Sequence, residues 1–228
     1  MNAPTKAEVR RSIRAGRAAL SRQELTRRAE SLASALARHI PPQAVVAGYL
    51  PMPGEPDLLP FLELHTARRG PVYLPVVPPT GKHLEWSAWA PGAPVRQHPR
   101  LPVTEPDPEL TGSVCLEVVI GRVAKARKDA QGVEEPPAEQ ASQGPAHLVF
   151  LVPALAVDTS GARLGQGGGY YDTSLAPLTG LLEQHPGLRC EVIAVVHSHE
   201  VLEPGSFPVQ PHDLRAPRVA TEYRVVGM

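Results

Sequence analysis

Cysteine is nearly absent. Cys115 and Cys190 are the two in 228 residues, and each sits in an apolar run with no nearby partner. There is therefore no CxxC pair, no zinc-type ligand spacing and no disulfide framework, and a reducing compartment is the expected setting. Net charge is missing as well: Lys+Arg (23) and Asp+Glu (23) cancel. That removes the electrostatic argument for a general nucleic-acid or membrane-surface binder. Long hydrophobic runs are also missing. The longest, Leu148 to Val157, is interrupted by Pro153 and is far too short to span a bilayer. Arg10, Arg11, Arg14 and Arg17 near the N-terminus lack the apolar segment that a secretory signal needs. The expectation is a cytoplasmic protein with no nucleic-acid and no membrane partner.

What is present is enough for a packed core. Hydrophobic residues make up 42% of the chain and charged residues 20%, which excludes global disorder. Proline (27) and glycine (19) promise frequent breaks and loops. Thr5 with Glu8, and Ser21 with Glu24, have the S/T-x-x-E spacing that caps the first free amides of a helix. After the second cap, Leu25, Ala29, Leu32, Leu36 and Ile40 recur at three- and four-residue steps, until Pro41-Pro42 stops the helix. Val45 to Leu50 reads as a buried strand, Asp57 to Arg69 as a helix, and Val72 to Val77 as a second strand. Leu84, Trp86 and Ala88 alternate like a third. Strands alternating with helices predict an α/β fold: one domain over 1–228, three layers (αβα), with a mostly parallel central sheet.

From Ala124 to His147 the pattern collapses. Val133 is the sole large aliphatic residue there, so this stretch is expected to be a disordered insertion. Val114 to Val123, just before it, is apolar and β-branched without a clear pairing. Leu148 to Val152 resumes as a central strand, and Val192 to Val196 reads as another.

Between those two strands lies the segment that carries chemistry. Val152-Pro153-Ala154-Leu155-Ala156-Val157-Asp158 is followed by Arg163-Leu164-Gly165-Gln166-Gly167-Gly168-Gly169-Tyr170-Tyr171-Asp172. A strand thus runs into a turn, then into four glycines in five positions, then into a helix start. Glycines let consecutive amides converge on an anion and let phosphate approach the backbone without Cβ clashes. A helix start would add unpaired amides. Arg163 would add a full positive charge, and Asp172 sits where a carboxylate could hold Mg²⁺ bridging phosphate oxygens. The loop is neither a Walker A loop, lacking G-K-[ST], nor a G-x-G-x-x-G fingerprint, because Tyr170 stands where the third glycine belongs. The residues alone leave two readings open, a phosphate or nucleotide site and a flexible glycine-rich surface turn. Asp158 is read as a cap on the turn before Gly161. His197, His199 and His212 are read as hydrated loop residues, since no third close ligand supports zinc.

R-L-G-x-G-G-G-Y-Y-D after V-P-x-L-A-x-D resembles the signature of the 5-formyltetrahydrofolate cyclo-ligase family. Other segments agree with it in order: Lys6 and Arg10, the loop Leu50-Pro51-Met52-Pro53-Gly54-Glu55, Pro208 to Asp213, and Thr221-Glu222. Three positions depart from the family pattern. Gly168 stands where some relatives carry Lys, Val157 where an aromatic precedes Asp158, and His197 where relatives tend to carry an apolar residue. The resemblance implies that Lys6, Arg10 and the loop Arg163, Leu164, Gly165, Gln166, Gly167, Gly168, Gly169, Tyr170 and Tyr171 bind ATP. It implies that Leu50, Glu55, Gln166 and Tyr170 contact the folate, that Asp172 and Asp213 ligate Mg²⁺, and that Arg163 is catalytic.

The activity so implied is ATP-dependent closure of 5-formyltetrahydrofolate to 5,10-methenyltetrahydrofolate, with release of ADP and phosphate. The formyl oxygen would be phosphorylated, and N10 would then attack. No nucleophile elbow or paired base stands in the way of that route. A monomer or weak homodimer is expected. The rival readings are another small-molecule phosphoryl-transfer enzyme on the same fold, and a catalytically inactive nucleotide- or folate-binding regulator.

Overall fold

The computed structural model describes residues 4–131 and 146–228. Thr5 closes a reciprocal capping box with Glu8 and starts α1 (Lys6–Ala18). Ser21 starts α2 (Arg22–His39) by accepting from the Glu24 amide, while the Glu24 carboxylate turns to Arg27 and Arg28 instead of back to the cap. Next come β1 (Val45–Ala47), α3 (Leu59–Ala67), β2 (Val72–Val76) and β3 (Glu85–Trp89). A separate hairpin follows, β4 (Val95–Gln97) and β5 (Thr104–Pro106), then α4 (Pro108–Thr111) and α5 (Leu116–Gln131). The second half runs through β6 (Ala146–Pro153), β7 (Ala156–Asp158), β8 (Arg163–Leu164), α6 (Tyr170–Ser174), α7 (Leu178–Glu183) and β9 (Leu188–Val195). A turn of 3-10 helix (Ser198–Glu200) precedes β10 (Val201–Leu202), β11 (Arg218–Ala220) and β12 (Val225–Gly227).

The main sheet has the order β12-β11-β9-β6-β1-β2-β3. Its five inner strands are mutually parallel, and both edges are antiparallel. β6 lies at the centre, and Leu148 to Val152 are fully buried, as expected for a strand covered on both faces. The period of two divides its side chains between two cores. Leu148, Phe150 and Val152 pack with Leu116, Val119, Ile120 and Val123 of α5, and Val149 and Leu151 pack with Leu32 and Leu36 of α2 and Phe61 and Leu62 of α3. The three-layer αβα expectation holds. The stripe on α2 is buried at Ala29, Leu32, Leu36 and Ile40. On the edge strand β3, Trp86 is buried but Ala88 is exposed, so the expected alternation runs out there.

One open segment is assigned and one sequence expectation is corrected. The Val114 to Val123 run, left without a clear pairing by the sequence, is no strand: Val114 makes one bridge to Trp86, and a helix begins at Leu116. The buried positions 116, 119, 120 and 123 have helical spacing, which the β-branched composition concealed. The supposed insertion from Ala124 to His147 is also helical as far as Gln131 and belongs to β6 from Ala146. Ala-Lys-Ala-Arg is strongly helix-forming, so a lack of large aliphatics there marks a helix end. At the other end, Ala146 and His147 pair in register with Leu188 and Arg189. Residues 132–145 lie outside the described residues.

Candidate active site

A cavity of about 670 Å³ opens at the C-terminal ends of the parallel strands, where open α/β sheets bind ligands. β1 delivers Tyr49 and Leu50 to its wall, β2 delivers Pro75 and Val77, and β6 ends there at Pro153. All fifteen residues singled out in the sequence line it: Lys6, Arg10, Leu50, Glu55, Arg163 through Asp172, and Asp213.

The glycine loop forms one wall, between β8 and α6. A Cβ on Gly168 would stand 2.8 Å from the Tyr170 ring, so any larger residue there would displace that ring. α6 spans only five residues, so the expected helix-dipole contribution is small. Positive charge comes instead from α1, whose basic face straps onto the loop. Arg10 Nε donates to the Gly165 carbonyl at 2.9 Å, and Arg14 Nη2 donates to Gln166 Oε1 at 2.8 Å.

The two aspartates are brought to the same wall. Asp172 Oδ1 accepts from Arg163 Nη2 at 2.7 Å and from the Leu214 amide at 3.0 Å, which ties it to the residue next to Asp213. Asp213 Oδ2 accepts from Lys6 Nζ at 2.6 Å and from the Gln210 amide at 2.7 Å. Burial works to raise the Asp213 carboxyl, but the Lys6 ammonium and the Gln210 amide overcome it and hold the group below its ordinary value. Arg163 is buried, spans to the Pro153 carbonyl at 3.0 Å and lies over the Tyr171 ring. Its Nε and the Tyr171 hydroxyl are buried without a partner among the described residues.

Among the described residues, the second oxygen of each aspartate has no protein donor, and no cluster of three or more ligating side chains occurs. Two hard oxygen donors with open valences fit Mg²⁺ arriving with substrate phosphates better than a closed protein cage.

Glu55, in the loop after β1, is buried. Its Oε2 accepts from the Met52 amide at 3.1 Å and its Oε1 from Gln166 Nε2 at 3.0 Å. Burial pushes its carboxyl up, against the opposing pull of Gln166, Met52 and Arg17. Arg17 Nη1 is 3.9 Å away and is itself buried, with Nε on Glu200 Oε1 at 2.7 Å and Nη2 on Glu200 Oε2 at 2.8 Å. Tyr49 and Tyr171 flank this region with hydroxyls that burial raises above their ordinary range.

Sequence reasoning missed Arg14, Tyr49 and Lys82 in the lining, the wall made by Leu101 to Glu105 in the β4–β5 hairpin, and Arg17, which lies behind Glu55. Positions 6, 10, 14 and 17 share one helical face, a signal that was available in the sequence. His197 is not a hydrated loop residue. It is buried, meets the Gly54 carbonyl at 3.2 Å and stacks on His199, and burial lowers its basicity. His212 is exposed, and His199 keeps 44% of its side chain accessible. Asp158 caps its turn as expected, accepting from the Ser160 and Ala162 amides, and Val157 is simply core.

Residues 2–222 match the sequence model of the 5-formyltetrahydrofolate cyclo-ligase family. The chain belongs to that family. Among curated members, a 5-formyltetrahydrofolate cyclo-ligase of Mycolicibacterium smegmatis is 46% identical over 76 residues, 33% of this chain and 34% of that protein. A mitochondrial cyclo-ligase of Arabidopsis thaliana is 39% identical over 98 residues, 43% of this chain and 35% of that one. The chain thus spans about a third of the length of the curated cyclo-ligases it matches. The fold is shared much further. An NMR structure of Aquifex aeolicus 5,10-methenyltetrahydrofolate synthetase superposes with a TM-score of 0.64 at 24% identity, covering 97% of this chain and 92% of that one. The Mycoplasma pneumoniae synthetase gives 0.57 at 18% identity, covering 95% and 98%.

Proposed function

We propose that this cyclo-ligase family member converts 5-formyltetrahydrofolate to 5,10-methenyltetrahydrofolate with Mg²⁺ and ATP, releasing ADP and phosphate. The observation that carries the reading is the contact between Glu55 and Gln166. It joins a buried carboxylate to the glycine loop at 3.0 Å, so one cavity offers both a folate-type and a phosphate-type surface. A carboxylate accepts only, which suits the N–H edge of a pterin, and Leu50 and Tyr170 would flank the ring. Lys6, Arg10 and the loop from Arg163 to Tyr171 would hold the phosphates of ATP.

The formyl oxygen is a poor leaving group and needs activation. Its attack on the γ-phosphorus would break the bond to ADP and leave an N5-iminium phosphate. N10 would then add to the activated carbon and lose its proton, and phosphate would depart with the oxygen. Arg163, over the loop, would balance charge on the transferred group, and the cavity would align the two substrates. Asp172 and Asp213 would hold Mg²⁺, which supplies charge neutralisation at the phosphate oxygens. Among the described residues no helix is long and apolar enough to cross a membrane. Two free cysteines support a cytoplasmic setting. Among the described residues the exposed large apolar side chains are Val95 of β4, Leu110 of α4, Val118 of α5, and Val209 and Tyr223 in connections, a scattering along the chain that supports a monomer or weak homodimer.

The test is the near-ultraviolet absorbance gained as the methenyl product forms, with and without ATP. Both substrates bound without that gain would leave an inactive binding regulator. Asp172→Asn or Asp213→Asn should each raise the Mg²⁺ needed for half-activity while leaving nucleotide-free folate binding nearly unchanged. The double variant should lose far less than the two single losses combined.

A further inference from the structure

The cations around the cavity differ in what already holds them. Lys6 is bound to Asp213, Arg163 to Asp172, Arg10 to the Gly165 carbonyl and Arg14 to Gln166. An incoming phosphate chain must compete with each of those partners. Lys82 lines the same cavity, and its ammonium has no carboxylate or carbonyl partner among the described residues.

Its position is fixed from the backbone. Lys82 lies in the connection from β2 to β3. The Leu84 amide donates to Ser174 Oγ at 2.7 Å, and the Lys82 carbonyl lies 3.2 Å from that hydroxyl, which also has the Tyr170 carbonyl at 2.7 Å as an acceptor. Ser174 is buried in α6, the helix that also carries Tyr170 and Asp172. The tether delivers the side chain onto the glycine loop. Lys82 Nζ would stand 3.5 Å from a Cβ on Gly169, whose φ of +74° disfavours any side chain there. Lys82 is exposed overall, and its side chain lies back over the loop.

We propose that Lys82 is a further nucleotide-binding residue, the uncommitted charge that meets the phosphate chain at the Gly169 end of the loop. The proposal rests on the nucleotide reading above. A lysine ammonium is a compact point charge suited to phosphate oxygens, and no ion pair has to break for it to engage them.

The test is nucleotide affinity by calorimetry, beside steady-state kinetics, for Lys82→Ala, Lys82→Arg and a control, Lys125→Ala on the exposed face of α5. Lys82→Ala should weaken Mg-ATP binding and raise its KM about tenfold, as loss of a charged hydrogen bond does, with nucleotide-free folate affinity unchanged. Lys82→Arg should recover most of the loss, and Lys125→Ala should match the wild type. The proposal falls if Lys82→Ala binds nucleotide as the wild type does, if Arg fails as badly as Ala, if Lys125→Ala causes the same loss, or if folate affinity drops equally. A wild-type protein that binds no nucleotide overturns the cyclo-ligase reading and this one together; normal wild-type binding with an unaffected Lys82→Ala overturns this one alone.

Discussion

The two ends of the central sheet both gather charge, and they use it differently. Toward the N-terminal ends of the strands, Glu191 of β9 receives His39 at 3.0 Å, His147 at 3.1 Å, Arg189 at 3.0 Å and Arg218 at 3.0 Å, and only 10% of its side chain stays exposed. Four basic side chains crowd one carboxylate; His39 alone among them hydrogen-bonds it, while His147 Nε2 is left without a hydrogen-bond partner among the described residues. At the C-terminal ends the stoichiometry is closer to one to one. Asp172 and Asp213 each hold one cation, each keeps an oxygen free of described donors, and a cavity of about 670 Å³ adjoins them. Perturbed charge therefore marks a functional site only where unspent donors and acceptors meet open space.

That contrast is broken most forcefully by a matched pair of neutral substitutions. Glu55→Gln should cut kcat/KM for the folate substrate about a hundredfold, since a charged acceptor facing two donors is lost. Its stability should move the other way. Burial raises the Glu55 carboxyl above 4.5, so its favourable contribution is present below that value and is lost as pH rises through the folded pKa. At pH 8 the Gln variant should therefore melt at or above the wild-type temperature, with the difference vanishing in acid.

Glu191→Gln is the counterpart and should have the smaller effect. Burial works to raise Glu191, yet its histidine and arginine neighbours hold it below the ordinary carboxylate value. Its contribution is therefore present above 4.5 and is lost as pH falls through the folded pKa. The variant should lose about 1–2 kcal/mol at pH 7, discounted for the exposure of Arg189 and Arg218, and keep its turnover. At neutral pH the two substitutions should thus shift thermal unfolding in opposite directions. Equal losses of turnover in both would show that the two ends are not separate.

The sequence displays the cavity end better than the rest of the molecule, because a glycine-rich loop is written locally. Arg163 to Asp172 is one contiguous segment. Lys6, Glu55 and Asp213, by contrast, became site residues only through resemblance to the cyclo-ligases; on composition alone each passes for a solvated charge. α5 was hidden because Val118, Val119 and Ile120 imitate a strand, although the buried set repeats at helical steps. Arg17 illustrates what a linear pattern cannot hold. Its partner Glu200 lies 183 positions away, and a buried arginine looks like an exposed one until that partner arrives. His197 fails the same way, since the Gly54 carbonyl that accompanies its burial is 143 positions distant. Lys82 gives no local sign at all, because its tether runs through Ser174.

The finest distinction between the two ends lies in the helix caps. α1 begins at Thr5, whose hydroxyl accepts from the Glu8 amide at 3.3 Å, and its first residue is Lys6, the partner of Asp213. α2 begins at Ser21, which accepts from the Glu24 amide at 3.1 Å, and its last residue is His39, a donor to Glu191. In both caps a hydroxyl accepts from the third helical amide, although only Thr5 has its bond returned by the glutamate, and each should cost about 1 kcal/mol when replaced by alanine. Their functional consequences should differ. Fraying the first turn of α1 loosens Lys6 at the cavity, so Thr5→Ala should raise the KM for Mg-ATP about threefold. Fraying the start of α2 disturbs neither the cavity nor, across a helix of 18 residues, its far end. Ser21→Ala should therefore lower the melting temperature by a similar amount with no change in KM. Equal KM shifts in the two variants would mean that nucleotide affinity follows global stability, and the Lys6–Asp213 contact would lose its special standing.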